Sequence, residues 1–186
     1  FTNGIDEDFL TKDLKIPTEK IDHKIEVTYA GNIGEGQGLH KIIPDVAEKL
    51  KDKFHFIIYG DGGARSKLAS ELAKRCLLNV EIKAPVPRFK LIEAYNNSDY
   101  LFLHLNDYEA FEKVLPSKIF ELSTFSKPIL AGVSGFAKKF IEQEVKYSFV
   151  FKPCDSETLV QYLKSHSPDE NIERDDPDYY LPIINK

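Results

Sequence analysis

Residues 114–121 carry the side chains best suited to bind a phosphorylated ligand. They read Val-Leu-Pro-Ser-Lys-Ile-Phe-Glu, and Pro116 suits the first helical position, where its missing N–H costs nothing. Ser117, Lys118 and Glu121 would then share one side of the first turn. A hydroxyl, an ammonium and the helix-start N–H groups can bind a diphosphate, and a carboxylate one turn deeper can accept two hydrogen bonds from the vicinal diol of a ribose. An exposed ion pair between Lys118 and Glu121 is an equally good explanation of the same residues.

A glycine-rich loop at residues 31–38 follows the first predicted strand and precedes a helical pattern. Glycine permits positive φ and a close approach of a ligand to the backbone, and the start of the next helix attracts anions. The spacing matches neither the dinucleotide-binding fingerprint nor the P-loop. The position after a strand favours ligand contact through Gly31, Gly34 and Gly36 over a merely flexible turn.

Three weaker features stand at other predicted strand ends. The glycines of residues 60–63 either contact a ligand or only turn the chain. Residues 84–88 contain two prolines that fix an extended loop, so the backbone around Val86 and Arg88 can face the edge of a base or simply connect two elements. His104 can contact a sugar, although a lone histidine at a strand end more often has a structural role.

The hydrophobic pattern of the chain predicts the fold that positions these loops. Apolar stripes alternate between strand and helix periods along the chain. Since the strands are apolar on both faces, helices should cover both sides of a parallel sheet. The prediction is an α/β, doubly wound, Rossmann-like fold, in which ligands bind beyond the carboxyl ends of the strands. The predicted strands are 25–30, 54–59, 80–82, 100–105, 128–131 and 149–151, and the predicted helices are 39–50, 68–76, 89–95, 117–125, 136–141 and 156–163.

Two residues in the helical stripes give specific predictions about local structure. Pro44 lies inside the first stripe, which predicts that the regular helix begins later than Leu39. Cys76 closes the second stripe and is therefore expected to be a buried small hydrophobe. With Cys154 it makes only two cysteines in the chain, so neither a disulfide framework nor a zinc site is expected, and a reducing compartment is the simplest interpretation.

Length and composition limit the domain organisation. The chain has 186 residues, 42% of them hydrophobic, which suffices for one α/β domain but not for two. We expect a polar lead-in at 1–24, the folded domain at 25–164 and a charged tail at 165–186. The chain contains no methionine, which predicts that it is a piece of a longer protein.

Charge and hydropathy exclude other classes of function. The net charge is −5 and there is no basic run, so nucleic acid is not an expected partner. No stretch approaches the roughly 20 apolar residues of a membrane span, and no signal peptide is visible. A cytoplasmic location is expected.

Six short segments occur in the order found in one known family. The segments are 2–6, 31–34, 60–62, 116–121, 127–131 and 151–155. With them the chain resembles the C-terminal domain of family 4 glycosyltransferases of the GT-B fold, and in particular the branch that builds bacterial surface polysaccharides such as O-antigen and capsule.

The resemblance implies a donor-binding domain that holds a nucleotide diphosphate-sugar, with UDP-sugar as the expected donor and without a metal or other cofactor. It also implies that an N-terminal acceptor-binding domain is missing, so the isolated chain should be inactive. The acceptor would be a glycan or a lipid-linked molecule, which would place the enzyme at the inner face of the membrane.

Individual positions both match the family and depart from it. Glu121 matches the second of two glutamates separated by seven residues, the one that binds the ribose hydroxyls, whereas Lys113 replaces the first. Asn32 and Gln37 stand near the places of an arginine and a lysine that neutralise the diphosphate in many members. Lys118 is the candidate for supplying the missing positive charge.

Two alternatives to a glycosyltransferase stay open at this point. One is half of a nucleotide-sugar epimerase of similar two-domain build, which needs no acceptor. The other is a non-catalytic nucleotide-sugar-binding module, which is favoured by the lysine at position 113.

Overall fold

The sheet consists of six parallel strands, seen in a computed structural model that describes residues 24–168. Its spatial order is β3-β2-β1-β4-β5-β6, so strand order reverses direction between β1 and β4. In sheets of this class, ligands bind outside the carboxyl ends of the strands, near the point where the order reverses. The strands are β1 (Ile25–Ala30), β2 (Phe54–Tyr59), β3 (Val80–Lys83), β4 (Tyr100–His104), β5 (Ile129–Gly132) and β6 (Ser148–Phe151).

Helices cover both faces of the sheet and bury a separate apolar cluster on each. One cluster joins the strands to α1, α2 and α6, with Ile42, Leu68 and Leu159 as examples. The other joins them to α3, α4 and α5, through residues such as Tyr95 and Ile141. The doubly wound, Rossmann-like prediction is confirmed. The helices are α1 (Leu39–Lys49), α2 (Arg65–Lys74), α3 (Arg88–Asn97), α4 (Lys118–Ser123), α5 (Gly135–Glu144) and α6 (Ser156–Ser165), with a 3₁₀ helix at Glu109–Lys113.

The expectation that Pro44 delays the first helix is wrong. Helix α1 begins at Leu39 and contains Pro44 as its sixth residue. The proline removes one backbone hydrogen bond, but Ile42, Ile43 and Val46 of the same stripe are at most 1% exposed. Their burial outweighs the lost bond, since each such side chain contributes about 1.5–3 kcal/mol.

The expectation that Cys76 is buried is also wrong. Helix α2 ends at Lys74, and Cys76 is exposed with a φ of 52°. The positive φ takes the chain out of the helical period. Leu77 then enters the core, and its N–H donates to the carbonyl of Leu72 at 3.1 Å.

The predicted lead-in and tail fall mostly outside the described residues. Of the tail, only 165–168 lie within them, and Ser165 closes α6. Within residues 24–168, none of the helices is long and apolar enough to cross a membrane.

Candidate functional site

The four loops singled out in the sequence leave the sheet at one edge. They follow β1, β2, β3 and β4, and all six strands are parallel. The carboxyl ends of parallel strands meet at the same edge, which is where ligands bind in this class of sheet. We call it the carboxyl edge below.

The glycine-rich loop is a closed turn whose polar side chains bind the loop itself. Gln37 donates its N–H to the carbonyl of Gly34 at 3.2 Å. The Oε1 of Gln37 accepts from Nδ2 of Asn32 at 3.0 Å and from the N–H of Gly34 at 3.3 Å. Asn32 and Gln37 therefore stabilise the shape of the loop.

The second glycine cluster lies against the backbone of this loop. Ile33 donates its N–H to the carbonyl of Asp61 at 2.8 Å, and Ala64 donates to the carbonyl of Ile33 at 2.9 Å. Gly60 has a φ of 156°, and a Cβ added there would overlap the carbonyl oxygen of Gly31. Residues 60–63 thus support the glycine-rich loop from beneath, which favours the structural explanation of these glycines.

The helix after β4 begins later and is shorter than expected. Helix α4 has only six residues and begins at Lys118, so Pro116 precedes it rather than occupying its first position. The N–H groups of Ile119 and Phe120 donate to the carbonyls of Pro116 and Ser117, each at 3.1 Å. A helix this short has a weak dipole, so the start of α4 by itself attracts an anion only weakly.

Lys118 and Glu121 form an ion pair in this ligand-free chain. Nζ of Lys118 lies 2.9 and 3.0 Å from the two carboxylate oxygens of Glu121. The side chains are 29% and 19% exposed, so the pair is partly buried rather than the exposed pair considered from the sequence. Burial raises the pKa of Tyr95 well above its usual value, and the charge of Glu121 raises it further. The carboxylate of Glu121 is therefore bound by the Lys118 ammonium and lies close enough to the buried phenol of Tyr95 to influence its pKa.

His104 is a structural residue in this conformation. It is 1% exposed, Nδ1 donates to the carbonyl of Gln37 at 2.6 Å, and Nε2 accepts from the N–H of Cys154 at 2.9 Å. Burial lowers the pKa of His104 to about 4, so the ring is neutral at pH 7. It joins the glycine-rich loop to the loop after β6 and offers neither nitrogen to a sugar.

The neutral state of His104 predicts that acid weakens the fold. Its pKa is about 4 in the folded chain and 6.5 when unperturbed, so the unfolded state takes up the proton first. The free energy of unfolding should fall by about 2–3 kcal/mol between pH 6.5 and pH 4.5 from this group alone. Urea unfolding at several pH values measures the effect.

The control is His104→Gln, which removes the titrating ring. Burial also lowers the pKa of His40, so part of the wild-type pH dependence should persist in this variant. The difference between the two curves isolates His104. Parallel curves for wild type and variant would contradict the assignment.

Val86 and Arg88 lie at the carboxyl edge but apart from the α4 start. Val86 is half-buried in the loop after β3, and Arg88 is the exposed first residue of α3. Three strand spacings of about 4.8 Å separate β3 from β4, or roughly 14 Å. One ligand contacts both Arg88 and Lys118 only if it extends across the ends of β1 and β2.

The sequence interpretation missed Asn106. This residue is 1% exposed, lies two positions beyond β4 and forms hydrogen bonds with the glycine-rich loop. Its only signal in the sequence is a polar amide directly after a continuous apolar strand, which is also typical of an ordinary exposed loop.

One protein-family model matches most of the chain. The family model described as glycosyl transferases group 1 matches residues 11–180. The chain belongs to this family. The C-terminal domain of a glycosyl transferase group 1 protein, LpcC from Francisella tularensis, superposes with a TM-score of 0.64 at 13% identity, over 96% of this chain and 97% of that one. The fold is therefore that of a GT-B C-terminal domain.

Two further proteins are similar to this chain over a smaller share of their own length. The Anabaena protein Alr3699/HepE, solved with UDP and glucose, has a TM-score of 0.62 at 20% identity, over 76% of this chain and 38% of that one. The Escherichia coli protein WcaI, named for glycosyl transfer in colanic acid biosynthesis, is 33% identical over 115 residues, which are 61% of this chain and 27% of WcaI. The chain thus spans about a quarter of this curated relative.

Proposed function

We propose that this chain is the donor-binding domain of a glycosyltransferase that moves a sugar from a UDP-sugar to a glycan or lipid-linked acceptor of a surface polysaccharide. The observation that carries the proposal is the pairing of two loops. The glycine-rich loop follows β1 and residues 105–117 follow β4, the two neighbouring strands between which strand order reverses. The family match and the UDP in the Alr3699/HepE crystals support the same ligand class.

The residues at this edge suit a leaving diphosphate. In glycosyl transfer the bond between the anomeric carbon and the diphosphate oxygen breaks, and negative charge accumulates on the diphosphate. Lys118 and the start of the eleven-residue α1, directly after Gly38, provide positive potential there. Glu121, Gly31, Gly34, Gly36, Ser117, Val86 and Arg88 are the proposed remaining contacts, with Glu121 on the ribose.

The acceptor side of the reaction is proposed to come from another domain. The chain contributes one wall of a cleft at its carboxyl edge, and it spans only 38% of Alr3699/HepE. The groups that activate the acceptor would lie on the facing wall. The 186-residue chain should then bind donor without transferring its sugar.

A ligand panel tests the proposal directly. We expect UDP, UDP-glucose and UDP-N-acetylglucosamine to raise the melting temperature, because a ligand that binds only the folded state stabilises it by RT ln(1 + [L]/Kd). ADP, GDP and inorganic phosphate are the controls. Melting temperatures that respond to none of the uridine nucleotides, or robust sugar transfer by this chain alone, would contradict the proposal.

A further inference from the structure

Asn106 joins the end of β4 to the glycine-rich loop by two direct hydrogen bonds. Its backbone N–H donates to the carbonyl of Gly36 at 2.8 Å. Its side-chain Nδ2 donates to the carbonyl of Glu35 at 2.7 Å. One buried residue therefore holds two consecutive carbonyls of the loop.

The other half of the Asn106 amide determines its orientation. Oδ1 accepts from Nζ of Lys41 and from the N–H of Asp107, each at 2.9 Å. Rotating the amide by 180° would place its NH₂ group against these two donors and its oxygen against the Glu35 carbonyl. Oδ1 also accepts from Sγ of Cys154 at 3.5 Å, and the observed orientation is the one that satisfies all four partners.

The contact surface between the loop and residues 104–111 leaves little space. A Cβ on Gly38, where φ is 60°, would lie 3.1 Å from Cγ of Asn106. A Cβ on Gly36 would lie 3.0 Å from the ring of Phe111. Together with the His104 hydrogen bond to Gln37, these contacts hold the loop in one position.

The direction of the Glu35 carbonyl determines the direction of the Gly36 N–H. In a trans peptide the C=O and the following N–H point in opposite directions. The Glu35 carbonyl points inward to buried Asn106, so the N–H of Gly36 points outward from it. An outward backbone N–H is a donor that a phosphate oxygen can accept from.

We infer that Asn106 is a positioning residue, which holds the glycine-rich loop so that the Gly36 N–H faces the diphosphate of the donor. This inference rests on the proposed function, because it concerns the same ligand. Asn106 acts through the loop, since its side-chain amide already binds the Glu35 carbonyl, Lys41, Asp107 and Cys154. The uridine part of the ligand does not depend on this loop orientation.

The test compares two buried asparagines. Asn106→Asp keeps the shape but replaces the donor to Glu35 by a carboxylate oxygen. Asn79→Asp makes the same change at an asparagine that is 5% exposed, donates to the carbonyls of Ala47 and Phe54, and immediately precedes β3 at the opposite edge of the sheet. Calorimetric titration with UDP and with uridine is run on wild type and both variants.

We expect Asn106→Asp to weaken UDP binding at least about tenfold and uridine binding less than about twofold. Asn79→Asp should lower the melting temperature without changing either affinity. Equal losses for UDP and uridine in Asn106→Asp, no loss for either, or the same UDP loss in Asn79→Asp would overturn the inference. If the wild type shows no binding of uridine nucleotides at any concentration in the titration, the proposed function itself fails.

A measurement on wild type covers the case in which Asn106→Asp does not fold. The Gly36 amide resonance is followed by NMR while UDP or uridine is added. We expect UDP to shift this resonance and slow its hydrogen exchange, and uridine to leave both unchanged. A Gly36 amide that does not respond to saturating UDP would overturn the inference.

Discussion

Glu121→Gln is expected to weaken UDP binding about ten- to a hundredfold while leaving the melting temperature nearly unchanged. A carboxylate that accepts two ribose hydroxyls makes charge-assisted hydrogen bonds, each contributing about 1.5–3 kcal/mol. The amide keeps the shape of the side chain but loses the charge, and a loss of 1.4 kcal/mol is tenfold in affinity. The ion pair with Lys118 is partly exposed, so its removal costs the free chain little.

The comparison of UDP with uridine makes this test specific. Both ligands contain the ribose, so Glu121→Gln should weaken both. The uridine loss should be at least as large, because the variant frees Lys118 from its partner at 2.9 Å and so favours the diphosphate. Lys118→Ala should show the opposite pattern, with a large loss for UDP and a small one for uridine. Unchanged affinities in a folded Glu121→Gln variant would remove Glu121 from the site.

Gly60→Ala is expected to cost at least about 3 kcal/mol of unfolding free energy, the largest effect on stability that we predict. The φ of 156° at Gly60 strains any residue with a side chain. The added Cβ would also overlap the Gly31 carbonyl oxygen, which is backbone and cannot turn aside as a flexible side chain would. Either β2 must shift or the glycine-rich loop must move.

The same loop supplies the matched control. A Cβ on Gly63 has no heavy atom within 4 Å, and Gly63 is exposed. Gly63→Ala should therefore change the unfolding free energy by less than about 0.5 kcal/mol. Urea unfolding of both variants measures the difference. Equal midpoints for Gly60→Ala and Gly63→Ala would contradict the close packing of the two loops.

The order and type of the elements follow from local pattern. Each β strand is a short apolar run followed by an apolar stripe at helical spacing, as in residues 54–59 and 68–72. Strands that are apolar on both faces are typical of a parallel sheet covered by helices on both sides. The bounds of the predicted strands and helices accordingly agree with those in the structure to within a few residues. The carboxyl edge, where the loops lie, was predicted with them.

The errors concern residues whose environment is not determined by the hydrophobic period of the sequence alone. Pro44 is accepted inside α1 because the rest of the stripe is buried against the sheet. Cys76 is exposed because one positive φ redirects the chain. The 3₁₀ helix Glu109–Lys113 has no apolar period that the sequence could reveal, and the ring of its Phe111 lies close to Gly36.

The sequence by itself determined the fold class, the candidate binding segments and the family to which they point, because these depend on residue type and spacing along the chain. Only the tertiary structure decided which polar groups already have a hydrogen-bond or ion-pair partner within the chain. It showed that His104 is neutral and buried, that Glu121 is paired with Lys118, and that Asn106 holds the glycine-rich loop. A hydrogen-bond partner 67 or 71 residues away leaves no trace in local pattern, since it depends on how strands and loops meet in space.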